Sequence, residues 1–154
     1  YSGGGLDIAF LGFGEIDAEG NVNVSKLGGS TVGPGGFIDI AQSAKKVVFC
    51  GTFDTGGASL EAGDGTLKVI SHGRIPKLVD RVEHVTFSGP QARVQRQQVI
   101  YVTERAVFEL REDGVHLVEI APGIDLKKDV LARMGFMPHM NSHLSKIDSS
   151  LFKE

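Results

Sequence analysis

Apolar positions along this chain switch between a strand-like and a helix-like period, and the switches mark out its elements. "LDIAFLGFGEIDAEGNVNVSKLG" reads as two short strands around a turn, because "AEGN" offers Gly and Asn where φ must become positive. A glycine-rich run follows, and then "FIDIAQSAKK", whose Phe37, Ile40, Ala41 and Ala44 recur at helical spacing. "KVVFCGTF" returns as a β-branched and aromatic run, the pattern of a buried strand. Strand, glycine loop, helix and strand in that order make an α/β unit.

Beyond it, "GASLEAGDGTLKVISHG" predicts a hairpin turning at "AGDG". "KLVDRVEHV" puts Leu78, Val79, Val82 and Val85 on one face and reads as a helix that runs into a strand, "VEHVTFSG". "QQVIYVTERAVFELREDGVHLVEIAPG" predicts two or three strands, with "EDG" as the last turn. In "IDLKKDVLARMG", Asp125 is a helix-capping carboxylate, Leu126, Val130, Leu131 and Met134 form a stripe, and Gly135 is a C-cap. From Pro138 onward the polar sequence predicts a frayed tail. The expected organisation is one domain over 1–137 and a polar C-terminal tail over 138–154, with no repeat and no linker.

Composition narrows the function classes. Over 154 residues, 41% hydrophobic and 23% charged content is that of a folded globular chain. A net charge of −3, without interleaved basic and aromatic residues, argues against nucleic acid as a partner. No apolar stretch approaches 18 residues and "YSGGGLD" lacks signal-peptide features, so a cytoplasmic chain without a membrane span is expected. The lone Cys50 reads as an inert core thiol. His139 and His143 have a helical metal-ligand spacing, but Pro138 and the polar surroundings favour a solvated terminus, and no metal is expected. The opening "YSGGGLDIAFLG" has no earlier element to pair with the first strand, so the chain reads as part of something longer.

The glycine run carries the candidate chemistry. Gly33-Pro34-Gly35-Gly36-Phe37-Ile38 begins as G-x-G but lacks the sixth-position glycine of a dinucleotide fingerprint, and no G-x-x-x-x-G-K-[ST] occurs. What survives is a pair of unshielded amides, Gly35 and Gly36, near a helix N-terminus, suited to an oxygen that becomes negative during reaction. The alternative is a tight turn that only packs the helix on the sheet.

Taken as ordered blocks, "GGGLDIAFLGFGEIDAEGNVNVSK", "GPGGFIDIAQSAKKVVFCGTF", "VEHVTFSG", "QQVIYVTERAVFEL" and "VEIAPGIDLKKDVLARM" resemble the C-terminal portion of a family I CoA-transferase, of the single-chain acetate/propionate type. The resemblance implies an α/β CoA-transferase fold (NagB/RpiA/CoA-transferase-like), a mixed sheet flanked by helices. It implies that Gly33, Gly35, Gly36 and Asp39 lie in the active site, with Gly35 and Gly36 as oxyanion donors and Asp39 stabilising the loop. Gly33, Pro34, Phe37, Asn23 and Ser25 are expected at the CoA and substrate site. Coenzyme A enters as substrate, and no separate cofactor is implied. The expected partners are acyl-CoA and carboxylate substrates, the N-terminal half of the same enzyme and further copies of it in a homo-oligomer.

Such transferases use a glutamate nucleophile and a glutamyl-CoA thioester, a two-step covalent exchange. None of Glu15, Glu19, Glu61, Glu83, Glu104, Glu109, Glu112, Glu119 or Glu154 stands in the glycine context of that nucleophile. Glu104, beside Arg105, reads instead as half of an ion pair. The nucleophile is therefore expected upstream, and the isolated chain is expected to be inactive. The rivals are a non-catalytic binding or assembly domain of the same fold and a nucleotide-binding α/β domain.

Overall fold

The computed structural model describes residues 7–23, 26–27, 30–31, 41, 44–83 and 85–147. Its strands in chain order are β1 (Ile8–Gly12), β2 (Glu15–Ile16), β3 (Val22–Asn23), β4 (Lys26–Leu27), β5 (Ser30–Thr31), β6 (Lys46–Cys50) and β7 (Asp54–Thr55). They continue with β8 (Ser59–Gly63), β9 (Thr66–Ser71), β10 (Ile75–Pro76), β11 (Gln98–Val102), β12 (Ala106–Arg111), β13 (Gly114–Ile120) and β14 (His139–Lys146). A short helix, α1 (Gly89–Val94), precedes β11.

Six strands form the main sheet in the order β1-β6-β11-β12-β13-β14. β1, β6 and β11 run parallel, β11 to β13 form an antiparallel meander, and β14 returns parallel to β13. In β6, Val47, Val48 and Phe49 are all buried, as expected of a central parallel strand covered on both faces. In β12, Ala106, Phe108 and Leu110 are buried while Val107, Glu109 and Arg111 are partly exposed, the period-2 signature.

The core lies on the face bearing Phe49 and Tyr101, which are register partners with rings stacked at 5.6 Å. Phe87 meets Phe49 edge-on at 5.1 Å, and Ile16, Val22 and Leu78 fill the space above. Burying each such side chain stabilises the fold by about 1.5–3 kcal/mol. The fully buried Tyr101 hydroxyl donates to Gly20 O at 2.7 Å, and burial holds the phenol far above its ordinary pKa.

The expected hairpins at 17–21, 63–66 and 111–114 are present, with Gly20, Asp64, Gly65 and Gly114 at positive φ. Asp125 caps its turn, Oδ1 accepting from Lys128 N at 2.9 Å, but the helix expected there is a π-type turn, Leu126–Val130, followed by a 3-10 turn, Leu131–Arg133. Gly135 is a packing glycine rather than a C-cap: a Cβ there would lie 2.5 Å from Asp80 N.

Further expectations are corrected: "VEHVTFSG" is not a strand, since among its described residues only Phe87 makes an isolated bridge, to Val22, and Gly89 already begins α1. Residues 78–83 are not helical, because Ile16 N donates to Lys77 O and Val79 N donates to Ile16 O, an extended ladder that takes the groups a helix would use. Cys50 is exposed at the end of β6 rather than in the core. The tail expected to fray from Pro138 instead supplies β14, so His139 and His143 lie on a strand and not on a helix. The expected helix beginning near Phe37 falls outside the described residues, apart from the helical Ala41.

Candidate functional site

Parallel strands in an α/β sheet aim their C-terminal ends at one edge, where ligands bind outside the carboxyl ends of the strands. Here β1 runs out into Phe13, Gly14 and Glu15, and β6 into Gly51 and Thr52. These segments, with Asn23 of β3, Thr55 of β7, Gly56 beyond it, and Ile75, Pro76 and Lys77, line a cleft of about 550 Å³.

Each polar group in the cleft has a reason for its position. The β2–β3 pairing sets Glu15 opposite Asn23, and the buried Asn23 donates through Nδ2 to Glu15 Oε1 at 2.9 Å. The same oxygen accepts from Glu83 N at 3.2 Å, so the carboxylate is held from two sides. Lys77 lays its ammonium 4.4 Å from the Phe13 ring centroid and donates to Thr52 Oγ1 at 3.4 Å. Burial pulls the Lys77 pKa down, against the upward pull of Glu104 and Asp54. A cation against an apolar wall, flanked by hydroxyls and an amide, suits a ligand with an apolar arm and an anionic oxygen.

Behind the cleft lies a buried charge cluster. Arg105 is 0% exposed, with Nε donating to Glu104 Oε2 at 2.9 Å and one terminal nitrogen to Asp54 Oδ1 at 3.1 Å. Its other terminal nitrogen donates to Asp129 O at 3.1 Å and lies 3.2 Å from His72 Nδ1. A guanidinium has no lone pair to offer, so Nδ1 accepts and Nε2 carries the proton that faces Asp129 Oδ1 at 3.5 Å. Burial, with Arg133 and Arg105 close by, holds the His72 pKa below its ordinary value, against the opposing pull of Asp129 and Asp54. Glu104 Oε1 in turn accepts from Phe53 N at 2.8 Å. The cluster therefore anchors the segment after β6 that walls the cleft. The Glu104 and Arg105 pair is the ion pair expected from the sequence.

Of the residues named from the sequence, Asn23 is in the cleft wall. Gly33, Pro34, Gly35, Gly36, Phe37, Asp39 and Ser25 lie outside the described residues. Lys77, Thr52 and the Asp54 and His72 arms of the charge cluster were missed. Nothing in "RIPKLV" or "HGR" distinguishes Lys77 and His72 from surface polar residues, and only the return of the chain from β9 to β10 brings them beside Thr52 and Asp54, which follow β6. Among the described residues no helix is long and apolar enough to cross a membrane.

No family model matches the chain. It is 48% identical over 152 residues to the acetate CoA-transferase YdiF of Escherichia coli O157:H7, covering 99% of this chain and 29% of that protein. It is also 48% identical over 159 residues to the caffeate CoA-transferase of Acetobacterium woodii, covering 100% of this chain and 30% of the relative. The chain thus spans under a third of the length of these relatives. It superposes on the crystal structure of the acyl-CoA transferase YdiF from E. coli O157:H7 in its thioester complex with CoA at a TM-score of 0.94, covering 99% of this chain and 30% of that one. The mixed α/β fold, a sheet flanked by helices, is the CoA-transferase fold of these structures.

Proposed function

We propose, from a chain that matches family I CoA-transferases over nearly its whole length, that it forms the C-terminal part of an enzyme that moves coenzyme A from a short-chain acyl-CoA to a carboxylate. The observation that carries this reading is the cleft at the C-terminal ends of β1 and β6, walled by Asn23 and Lys77, in a chain 48% identical to acetate and caffeate CoA-transferases.

In the proposed reaction a glutamate carboxylate from a part of the enzyme beyond this sequence attacks the thioester carbonyl. The C–S bond breaks, CoA leaves as a thiolate, and an acyl-glutamyl anhydride remains. The thiolate attacks the glutamyl carbonyl, expels the first carboxylate and leaves a glutamyl-CoA thioester, from which an acceptor carboxylate takes CoA by the reverse sequence. Each attack places negative charge on a carbonyl oxygen. Gly35 and Gly36 supply the amide donors for it, Asp39 holds their loop, and Gly33, Pro34, Phe37, Asn23 and Ser25 contact CoA and substrate. The ammonium of Lys77 faces the same cleft and attracts the anionic parts of the substrate.

The test uses the enzyme containing this chain at full length. Gly36→Val is expected to lower turnover on the order of a hundredfold, the usual effect of removing one oxyanion donor. Mass spectrometry after incubation with acetyl-CoA should show less glutamyl-CoA adduct, while the unfolding midpoint identifies any loss due to misfolding. A folded variant with normal turnover and adduct would remove the oxyanion assignment. Absence of any CoA adduct or exchange in the unmodified enzyme would instead favour a binding or assembly role.

A further inference from the structure

At the far side of the sheet, three side chains from separate elements converge. Asp113 lies in the turn between β12 and β13, His116 is on β13, and His139 is its parallel register partner on β14. Their potential ligand atoms all lie within 4.8 Å of one another. His116 Nε2 is 2.6 Å from Asp113 Oδ1, His139 Nδ1 is 3.8 Å from Asp113 Oδ2, and the two rings stack at 4.8 Å.

The hydrogen bonding decides what this convergence can hold. His139 Nε2 lies 3.0 Å from the backbone carbonyl of Asp113, and a carbonyl only accepts, so Nε2 carries the ring proton. In the neutral ring Nδ1 is then a lone pair, and it faces a carboxylate oxygen. Two acceptors set face to face are joined either by a second ring proton on Nδ1 or by a metal cation. A metal-binding histidine usually has its other nitrogen held by a carbonyl or carboxylate in this way, which fixes the tautomer. His116 Nδ1 is buried with no partner among the described residues. Moving the His116 proton from Nε2 to Nδ1, which frees Nε2 as a ligand, therefore breaks no bond at Nδ1.

We propose that Asp113, His116 and His139 form a binding site for a divalent transition cation of the zinc class, using His116 Nε2, His139 Nδ1 and the Asp113 carboxylate. Two imidazoles and one carboxylate suit zinc, whereas magnesium and calcium prefer oxygen ligands. Ligand atoms around a tetrahedral zinc lie about 3.3 Å apart, given bonds of about 2.0–2.1 Å. His116 Nε2 is 2.6 Å from Asp113 Oδ1 and His139 Nδ1 is 3.8 Å from Asp113 Oδ2, so a turn of the exposed carboxylate brings one oxygen towards both rings, and a water completes the shell. Asp113 and His139 are 59% and 51% exposed, so both can adjust and the ion can enter from solvent. The bound ion would tie edge strand β14 to the β12–β13 hairpin.

The test is equilibrium dialysis of the metal-stripped full chain against ZnCl2, with CoCl2 as a spectroscopic probe. One equivalent of zinc should bind, MgCl2 should not compete, and cobalt should give the visible bands of a low-coordinate nitrogen and oxygen site. His139→Gln and Asp113→Asn alter exposed side chains, so circular dichroism should be unchanged, and each should weaken zinc binding by about tenfold or more. Failure to bind one equivalent, equal binding of magnesium, or undiminished binding in folded His139→Gln would each overturn the site.

Discussion

Two clusters of charged and histidine side chains sit at opposite ends of β12, and they differ in their access to water. Around Arg105, a fully buried guanidinium meets Asp54, Glu104, His72 and the Asp129 carbonyl, and its plane lies 4.8 Å over the Phe53 ring. Around Asp113, the carboxylate and His139 are about half exposed and only His116 is largely covered. Charges removed from water depend on one another, and here they do so almost completely, with only Asp54 Oδ2 lacking a hydrogen-bond partner among the described residues, whereas charges left in water are screened and free to exchange partners. The first cluster is therefore a structural anchor and the second is open to a ligand.

The sharpest way to break the comparison is to remove Arg105. Arg105→Met leaves the Asp54 and Glu104 carboxylates without their buried counter-charge and should cost about 3–5 kcal/mol in denaturant unfolding. Adding Asp54→Asn and Glu104→Gln to that variant should recover much of the loss. A small cost for Arg105→Met alone would show that water reaches the cluster.

A smaller effect is expected from pH. His72 has its pKa lowered in the folded state, so between that value and the ordinary one near 6.5 the unfolded chain binds more protons. The neutral ring's contribution is complete above about pH 6.5 and is lost as pH falls through that window towards the folded pKa. Stability measured from pH 7 to pH 5 should decline less steeply in His72→Gln than in the parent chain. An unchanged slope would sink the assignment of this titration to His72.

The smallest effect belongs to the exposed cluster. Asp113→Asn in metal-free protein should leave the unfolding midpoint unchanged, because the Asp113 carboxylate is itself 59% exposed and its pairings are screened by water. A marked drop would mean that this cluster, too, is structural.

The legible parts of the fold are those where side chain and backbone want the same thing. The centre of β6, Val47 to Phe49, is apolar because both its faces are covered, and the turns carry Gly or Asp where φ is positive. α1 also has local signals, Ser88 as N-cap accepting from Gln91 N and Pro90 in the first turn, but Ser88 stood at the end of a segment read as strand and Pro90 just beyond it. Residues 78–83 misled because apolar spacing fits a helix and an extended chain equally well when a neighbouring strand competes for the backbone.

The local order of strands and hairpins and the resemblance that pointed to CoA chemistry were determined by the sequence itself, since each rests on residue types at short spacing. Tertiary structure alone decided that "HMNSHLSK" is a strand, because sheet hydrogen bonds join backbones and take little notice of polar side chains at an edge. It also decided which distant side chains meet. Arg105 reaches Asp54 across 51 residues, and His139 reaches the Asp113 carbonyl across 26. Those meetings depend on strand register, and register is set by the packing of the whole sheet rather than by any local pattern.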